Sequence, residues 1–146
     1  MRLSVNLFCR DIVAQAAFYA RVLAAHEAES KRSPIYRAIA LGDAELGFNA
    51  EAARALLGVL GREPATAGVP PVAAYATFAL DGPEAVEAAA ARIEPAGGRV
   101  LRAPFATYYG QWQAVAEDPE QNVFRLAAGS LPAGAVPPRL ADLLPS

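Results

Sequence analysis

The chain has 146 residues, 54 % hydrophobic and 19 % charged, so it can bury a core and lacks the composition of a disordered chain. Lys and Arg number 13 against 15 Asp and Glu, a formal net charge of −2, which withholds the basic surface that a nucleic-acid partner demands. A lone cysteine, Cys9, excludes an internal disulfide framework, and a lone histidine, His26, leaves little material for histidine-based metal or nucleophile chemistry. No run of about twenty apolar residues is present, so no membrane span is expected. The opening residues alternate like a strand, with no apolar block leading to a cleavage site, and the expectation is a soluble, cytoplasmic protein.

Taken in chain order, Leu3, Val5, Leu7 and Cys9 alternate with Ser4, Asn6 and Phe8, the pattern of a half-buried strand. Asp11 then stands where a helix N-cap belongs. Ile12, Ala16, Tyr19 and Leu23 form one helical stripe with no Gly or Pro between them. Short strands are predicted at about 25–31, 35–41 and 45–49, with turns at Ser33-Pro34 and Gly42-Asp43. A short helix over 50–60 closes this half at Gly61, and residues 64–71 have linker composition.

The order then repeats. A strand is predicted over 73–80, with Phe78 and Leu80 on one face and Tyr75 and Thr77 on the other. Asp81 is a cap candidate, Pro83 suits a first helical turn, and Val86, Ala89, Ala90 and Ile93 give the next stripe. Pro95 and Gly97-Gly98 stop that helix, and strands fit 99–103, 111–117 and 122–127. The chain thus divides into a first module with a short extra helix (1–60), a linker (61–72), a second module (73–128) and a Pro-rich tail (129–146). Each module is a strand, a helix and about three further strands, an α+β arrangement in which each helix covers one sheet face and the other faces enclose a cup.

The sequence resembles the vicinal oxygen chelate superfamily, which includes glyoxalases, bleomycin-resistance proteins and extradiol dioxygenases. The resemblance spans residues 2 to about 128. It rests on the first strand running into Asp11, on Phe18-Tyr19 with Val22-Leu23, on Glu45-Leu46-Gly47-Phe48-Asn49, on Ala96-Gly97-Gly98 and on Asp118-Pro119-Glu120-Gln121-Asn122 before a final strand. It implies paired βαβββ modules forming a curved mixed sheet around a central cup, and a homodimer. Metal-dependent members place His or Glu ligands on the first and last strand of each module, residue types that suit divalent metals. Carried onto this chain, those positions are Ser4 and Glu45 in the first module and Tyr75 and Arg125 in the second. Only Glu45 is of the ligating type, and Arg125 puts a fixed positive charge where a cation would lie. No metal and no cofactor are therefore expected, and His26 lies where the family has no ligand.

Two readings of the cup residues stay open. Glu45 and Arg125, if both point inward, pair and hold the modules in register, or Arg125 is simply solvated; in the functional reading Arg125 receives an anionic or carbonyl-bearing ligand. Phe105, Tyr108, Tyr109 and Trp112 read as a loop whose rings stack on a flat molecule, or as cover for the core edge or a dimer contact. The preferred reading is metal-independent binding of a small aromatic or amphipathic molecule, an antibiotic-resistance type of sequestration. Its expected contacts are Ser4, Asn6, Phe8, Glu45, Tyr75, Thr77, Tyr108, Tyr109, Trp112 and Arg125. The alternative is a lyase, isomerase or dioxygenase of the same superfamily, with a relocated metal or with Glu45 as base. Cys9 reads as a buried small hydrophobe, not a nucleophile.

Overall fold

The computed structural model describes residues 1–65 and 67–144. The first alternating segment is strand β1 (Ser4–Cys9) and the first stripe is helix α1 (Ile12–Leu23). Asp11 caps that helix: its carboxylate accepts from the backbone N–H of Val13 at 3.1 Å and of Ala14 at 2.9 Å, satisfying two amides that have no partner within the helix. Strands β2 (His26–Glu27), β3 (Tyr36–Leu41) and β4 (Ala44–Ala50) follow. The strand predicted at 25–31 shrinks to two residues, because Glu29–Lys31 turn as a 3₁₀ helix. The helix predicted over 50–60 is the shorter α2 (Ala53–Leu57), since β4 runs on to Ala50 and Gly58 ends the helix at a positive φ of 69°.

The second half contains β5 (Ala76–Ala79), α3 (Pro83–Ile93), β6 (Arg99–Ala106), β7 (Trp112–Glu117) and β8 (Val123–Ala128). Asp81 does not cap α3. Gly82 holds the N-cap position without a side-chain bond, and Pro83 fills the first turn, where its missing N–H costs nothing. β6 reaches Ala106, so Phe105 lies in a strand, and Trp112 opens β7; only residues 107–111 form the connecting loop. In the tail, Leu140–Asp142 form one 3₁₀ turn.

The chain builds two four-stranded mixed sheets of identical topology, ordered β1-β4-β3-β2 and β5-β8-β7-β6. In each, the first strand pairs parallel to the last through a helical crossover, and the remaining neighbours are antiparallel. This is the paired βαβββ architecture, with the two sheets not joined by strand pairing.

One core serves both modules. Cys9, Tyr19, Phe48, Ile93, Phe124 and Leu126 are all buried in the same cluster. Tyr19 of α1 is its hub: the ring stacks at 5.5 Å on Phe48 of its own sheet and meets Phe124 at 5.4 Å and Phe78 at 5.9 Å in the other. Polar ties reinforce the join. Arg92 of α3 donates to the Val22 carbonyl at 2.7 Å, and the Glu120 carboxylate accepts from the N–H groups of Arg10 and Asp11 at 2.9 Å each. Because side chains alternate along a strand, burying Leu7 and Cys9 against the helices turns Ser4, Asn6 and Phe8 to the opposite face. Each sheet therefore presents a second face that neither α1 nor α3 covers, called the helix-free face below, and these two faces carry the residues of interest. No helix among the described residues is long and apolar enough to cross a membrane.

Candidate functional site

Register fixes which residues share the helix-free face of the first sheet. Ser4 lies opposite Glu45, Asn6 opposite Gly47 and Phe8 opposite Asn49, while Tyr36 on β3 lies opposite Asn49. Gly47 has no side chain at the centre of this face, and the Tyr36 ring leans across the gap. A Cβ at Gly47 would come within 2.6 Å of the Tyr36 hydroxyl and collide with the Asn6 amide. That hydroxyl donates to Glu45 Oε1 at 2.9 Å, and the Lys31 ammonium closes on Glu45 Oε2. The Lys31 bond, with help from Tyr36, holds the Glu45 carboxyl below its ordinary range. The same contact and the burial of its ring push the Tyr36 phenol up to about 12, burial being the larger cause. A carboxylate stabilised as an anion in this way is a poor proton acceptor, which works against Glu45 as a base.

Phe8 lies at the far end of this face. The Arg54 guanidinium of α2 covers the Phe8 ring at 3.9 Å, with Glu51 as its ion-pair partner. Sequence reasoning found neither Lys31 nor Tyr36 nor Arg54, since each reaches its partner across strands or from a separate element.

The second sheet repeats the geometry with different chemistry. Thr77 lies directly opposite Arg125, as Ser4 lies opposite Glu45. Thr77, not Tyr75, is thus the register equivalent of Ser4; Tyr75 sits two residues earlier, just ahead of β5. Arg125 Nε donates to Thr77 Oγ1 at 3.0 Å, and Nη1 approaches the Tyr109 hydroxyl at 3.4 Å and Gln113 Oε1 at 3.5 Å. The Tyr75 ring lies 5.2 Å from the guanidinium carbon. Gln113 in turn donates to Tyr109 at 2.8 Å and to Gln111 at 2.8 Å. The 107–111 loop is closed by Thr107, which accepts the Gln111 N–H, and by Gly110 at a φ of 83°. It places Tyr108 and Tyr109 in edge-to-face contact at 4.8 Å, each about half exposed.

Two expectations are corrected. Glu45 and Arg125 form no pair: Glu45 is engaged by Lys31 and Tyr36, Arg125 by Thr77 and its neighbours, and no ion pair among the described residues joins the two clusters. Trp112 is not part of the Arg125 surface. Gln113 shares that face, so its neighbour Trp112 points the other way, toward the helices, and the indole N–H donates to Glu87 of α3 at 2.9 Å. Phe105, opposite Gln113, does belong to the Arg125 face and stacks beneath Arg102 at 3.5 Å.

A divalent metal does not fit the four equivalent strand positions. Ser4 and Thr77 offer neutral hydroxyls, Glu45 is already neutralised by Lys31, and Arg125 would repel the ion. Among the described residues no three His, Cys, Asp or Glu side chains gather at one point. His26 is exposed on β2, and Cys9 is fully buried, its thiol pushed up to about 12 chiefly by that burial.

Comparison with known proteins agrees with the topology. The family model of a glyoxalase-like domain matches residues 3–127. A glyoxalase/bleomycin resistance protein/dioxygenase family enzyme from Burkholderia phytofirmans PsJN is 41 % identical, with 86 % of this chain and 95 % of that one covered at a TM-score of 0.76. A glyoxalase-related enzyme from Fulvimarina pelagi is 18 % identical, covering 93 % and 95 %, at a TM-score of 0.72. The fosfomycin resistance protein FosX from Mesorhizobium loti shares the fold at 15 % identity, covering 90 % and 92 %, with a TM-score of 0.63. No curated protein matches in sequence. The match along nearly the whole of both modules, together with their repeated strand order, shows that the chain belongs to the glyoxalase-like domain family of the vicinal oxygen chelate superfamily.

Proposed function

We propose that the chain binds a small aromatic or amphipathic molecule without a metal, sequestering it on the helix-free face around Arg125. The observation that carries this reading is the state of Arg125. It is a fixed cation, half-buried, with neutral hydroxyl and amide partners and no carboxylate partner among the described residues. Withdrawing such a charge from water is costly without a counter-charge, so the position is built to receive one. Tyr75, Tyr108 and Tyr109 supply flat apolar walls beside it, and a pocket of this kind needs only a few placed polar groups to orient its ligand.

Ser4, Asn6, Phe8 and Glu45 belong to the reading as the facing surface. They share no bond with the Arg125 cluster inside one chain, and we place them opposite it in a homodimer, where the first module of one copy faces the second module of the other.

The test is a thermal-shift screen of flat aromatic compounds on protein treated with a chelator. Ligands that bind the folded form raise the melting temperature, and Arg125→Glu removes the shift. A panel in which no compound stabilises the chelated protein, or in which stabilisation appears only after metal is restored, overturns the proposal. Light scattering on the same sample reads the homodimer.

A further inference from the structure

Beside the Arg125 face lies a cleft of about 250 Å³ between the edges of the two modules. Val5, Leu7 and Leu46 line it from the first module, Pro70 and Pro71 from the connecting segment, and Tyr75 and Val123 from the second; Arg125 lies outside the lining and meets it through Tyr75. Tyr75 therefore serves two surfaces: it lines the cleft, and its ring lies 5.2 Å from the Arg125 guanidinium carbon. Val123 is two residues before Arg125 on β8 and so shares its face.

We infer that this site takes a monoanionic aryl acid, its single ring seated in the cleft against Tyr75 and its carboxylate bound to Arg125. The inference rests on the binding function proposed above and names the ligand class for it. Size supports one ring. A dry cavity of about 150 Å³ already holds benzene, whereas drug-sized ligands use about 300–1,000 Å³, so 250 Å³ admits a ring with a short side arm. Polarity supports an apolar body. The lining is largely Val, Leu, Pro and Ala; of its polar residues Tyr19, Tyr75, Gln121 and Asn122, the Tyr19 hydroxyl and the Asn122 amide are already bonded to Asp118.

Charge supports an acid. Arg125 Nε is spent on Thr77, but Nη2 has no hydrogen-bond partner among the described residues and Nη1 has only two long ones. One edge of the guanidinium fork is thus available for a planar carboxylate. Arg102, on the same face and stacked on Phe105, likewise has no carboxylate partner among the described residues.

The test is titration calorimetry with phenylacetate, its neutral isostere phenylacetamide, and acetate. Phenylacetate is expected to bind, with phenylacetamide and acetate each about tenfold weaker or worse, as loss of a charge-assisted pair or of a buried ring implies. Arg125→Met should abolish the preference for the acid over phenylacetamide. Val5→Trp, a filling substitution at an exposed edge position, should weaken both aryl ligands. Circular dichroism checks that both variants fold, and Arg125→Lys, which keeps the charge without the fork, should recover only part of the affinity. Equal binding of acid and amide, or indifference to Arg125→Met, overturns the anionic anchor. Normal binding in Val5→Trp overturns the cleft. If the aryl acids fail while other aromatic compounds stabilise the chelated protein, this inference falls and the binding function stands. If nothing stabilises it, both fall.

Discussion

The Tyr19 hydroxyl donates to the Asp118 carboxylate at 2.9 Å across the join between modules. Both residues are buried, and Asp118 also accepts from the backbone N–H of Glu120 and Asn122 and from the Asn122 side chain. The bond links α1 to the turn that launches β8, and β8 carries Arg125. One contact therefore couples the shared core to the position of Arg125. Tyr19→Phe keeps the ring contacts with Phe48 and Phe124 but removes the donor. The expected loss is about 1.5–3 kcal/mol, the range for a hydrogen bond to a charged group, read by urea denaturation.

Alkaline stability follows from two buried acids. Burial pushes the Cys9 thiol from 9.0 to about 12, and burial together with Asp118 holds the Tyr19 phenol well above its ordinary 10. Both groups stay protonated in the fold at pH values where the unfolded chain would ionise them. Their contribution is full below pH 9 and is lost as pH rises toward the folded values. The melting temperature should hold up to about pH 9 and then fall, and Cys9→Ala should remove the earliest part of that fall. In the native protein Cys9 should also resist a thiol reagent that labels it after unfolding.

On the acid side the sign reverses. Glu45 is held below its usual 4.5, first by Lys31, so its contribution is present above that value and is lost as pH falls through the lower folded one. Lys31→Met should raise the Glu45 pKa, measured by carboxyl carbon shifts in NMR, and should shift the acid unfolding limb to higher pH.

Gly98 is fixed by close approach. An added Cβ would meet the Glu117 carbonyl at 2.6 Å and the Phe18 ring at 2.7 Å, one rigid backbone and the other locked in the core. Gly98→Ala should cost about 1–3 kcal/mol as an overpacking substitution. Gly129, with nothing within 4 Å of the same added atom, should accept alanine with almost no change in melting temperature.

How much of this was legible in the sequence depended on range. The first strand, the Asp11 cap and the α1 stripe are local patterns, and the structure contains all three. The module repeat was legible from element order, because a crossover strand plus a meander has few ways to pair. What failed depended on parity or on distant partners. Proximity in sequence groups Trp112 with Tyr108 and Tyr109, yet β7 starts at Trp112 and alternation sends it to the opposite face from Gln113. A Glu45–Arg125 pair is one of the readings that sequence leaves open, because whether opposite charges on different modules meet depends on tertiary placement. The 3₁₀ turn at Glu29–Lys31 instead brings Lys31 to Glu45. No periodicity encodes such a turn.

The proposed function requires that no divalent ion occupies the positions of Ser4, Glu45, Thr77 and Arg125. Elemental analysis of tag-free protein, dialysed in turn against zinc, nickel, manganese and ferrous ions and then desalted, tests it most directly. The account predicts far less than one ion per chain in every case. One tightly held ion per chain, released when Glu45 is replaced by Gln, would contradict it.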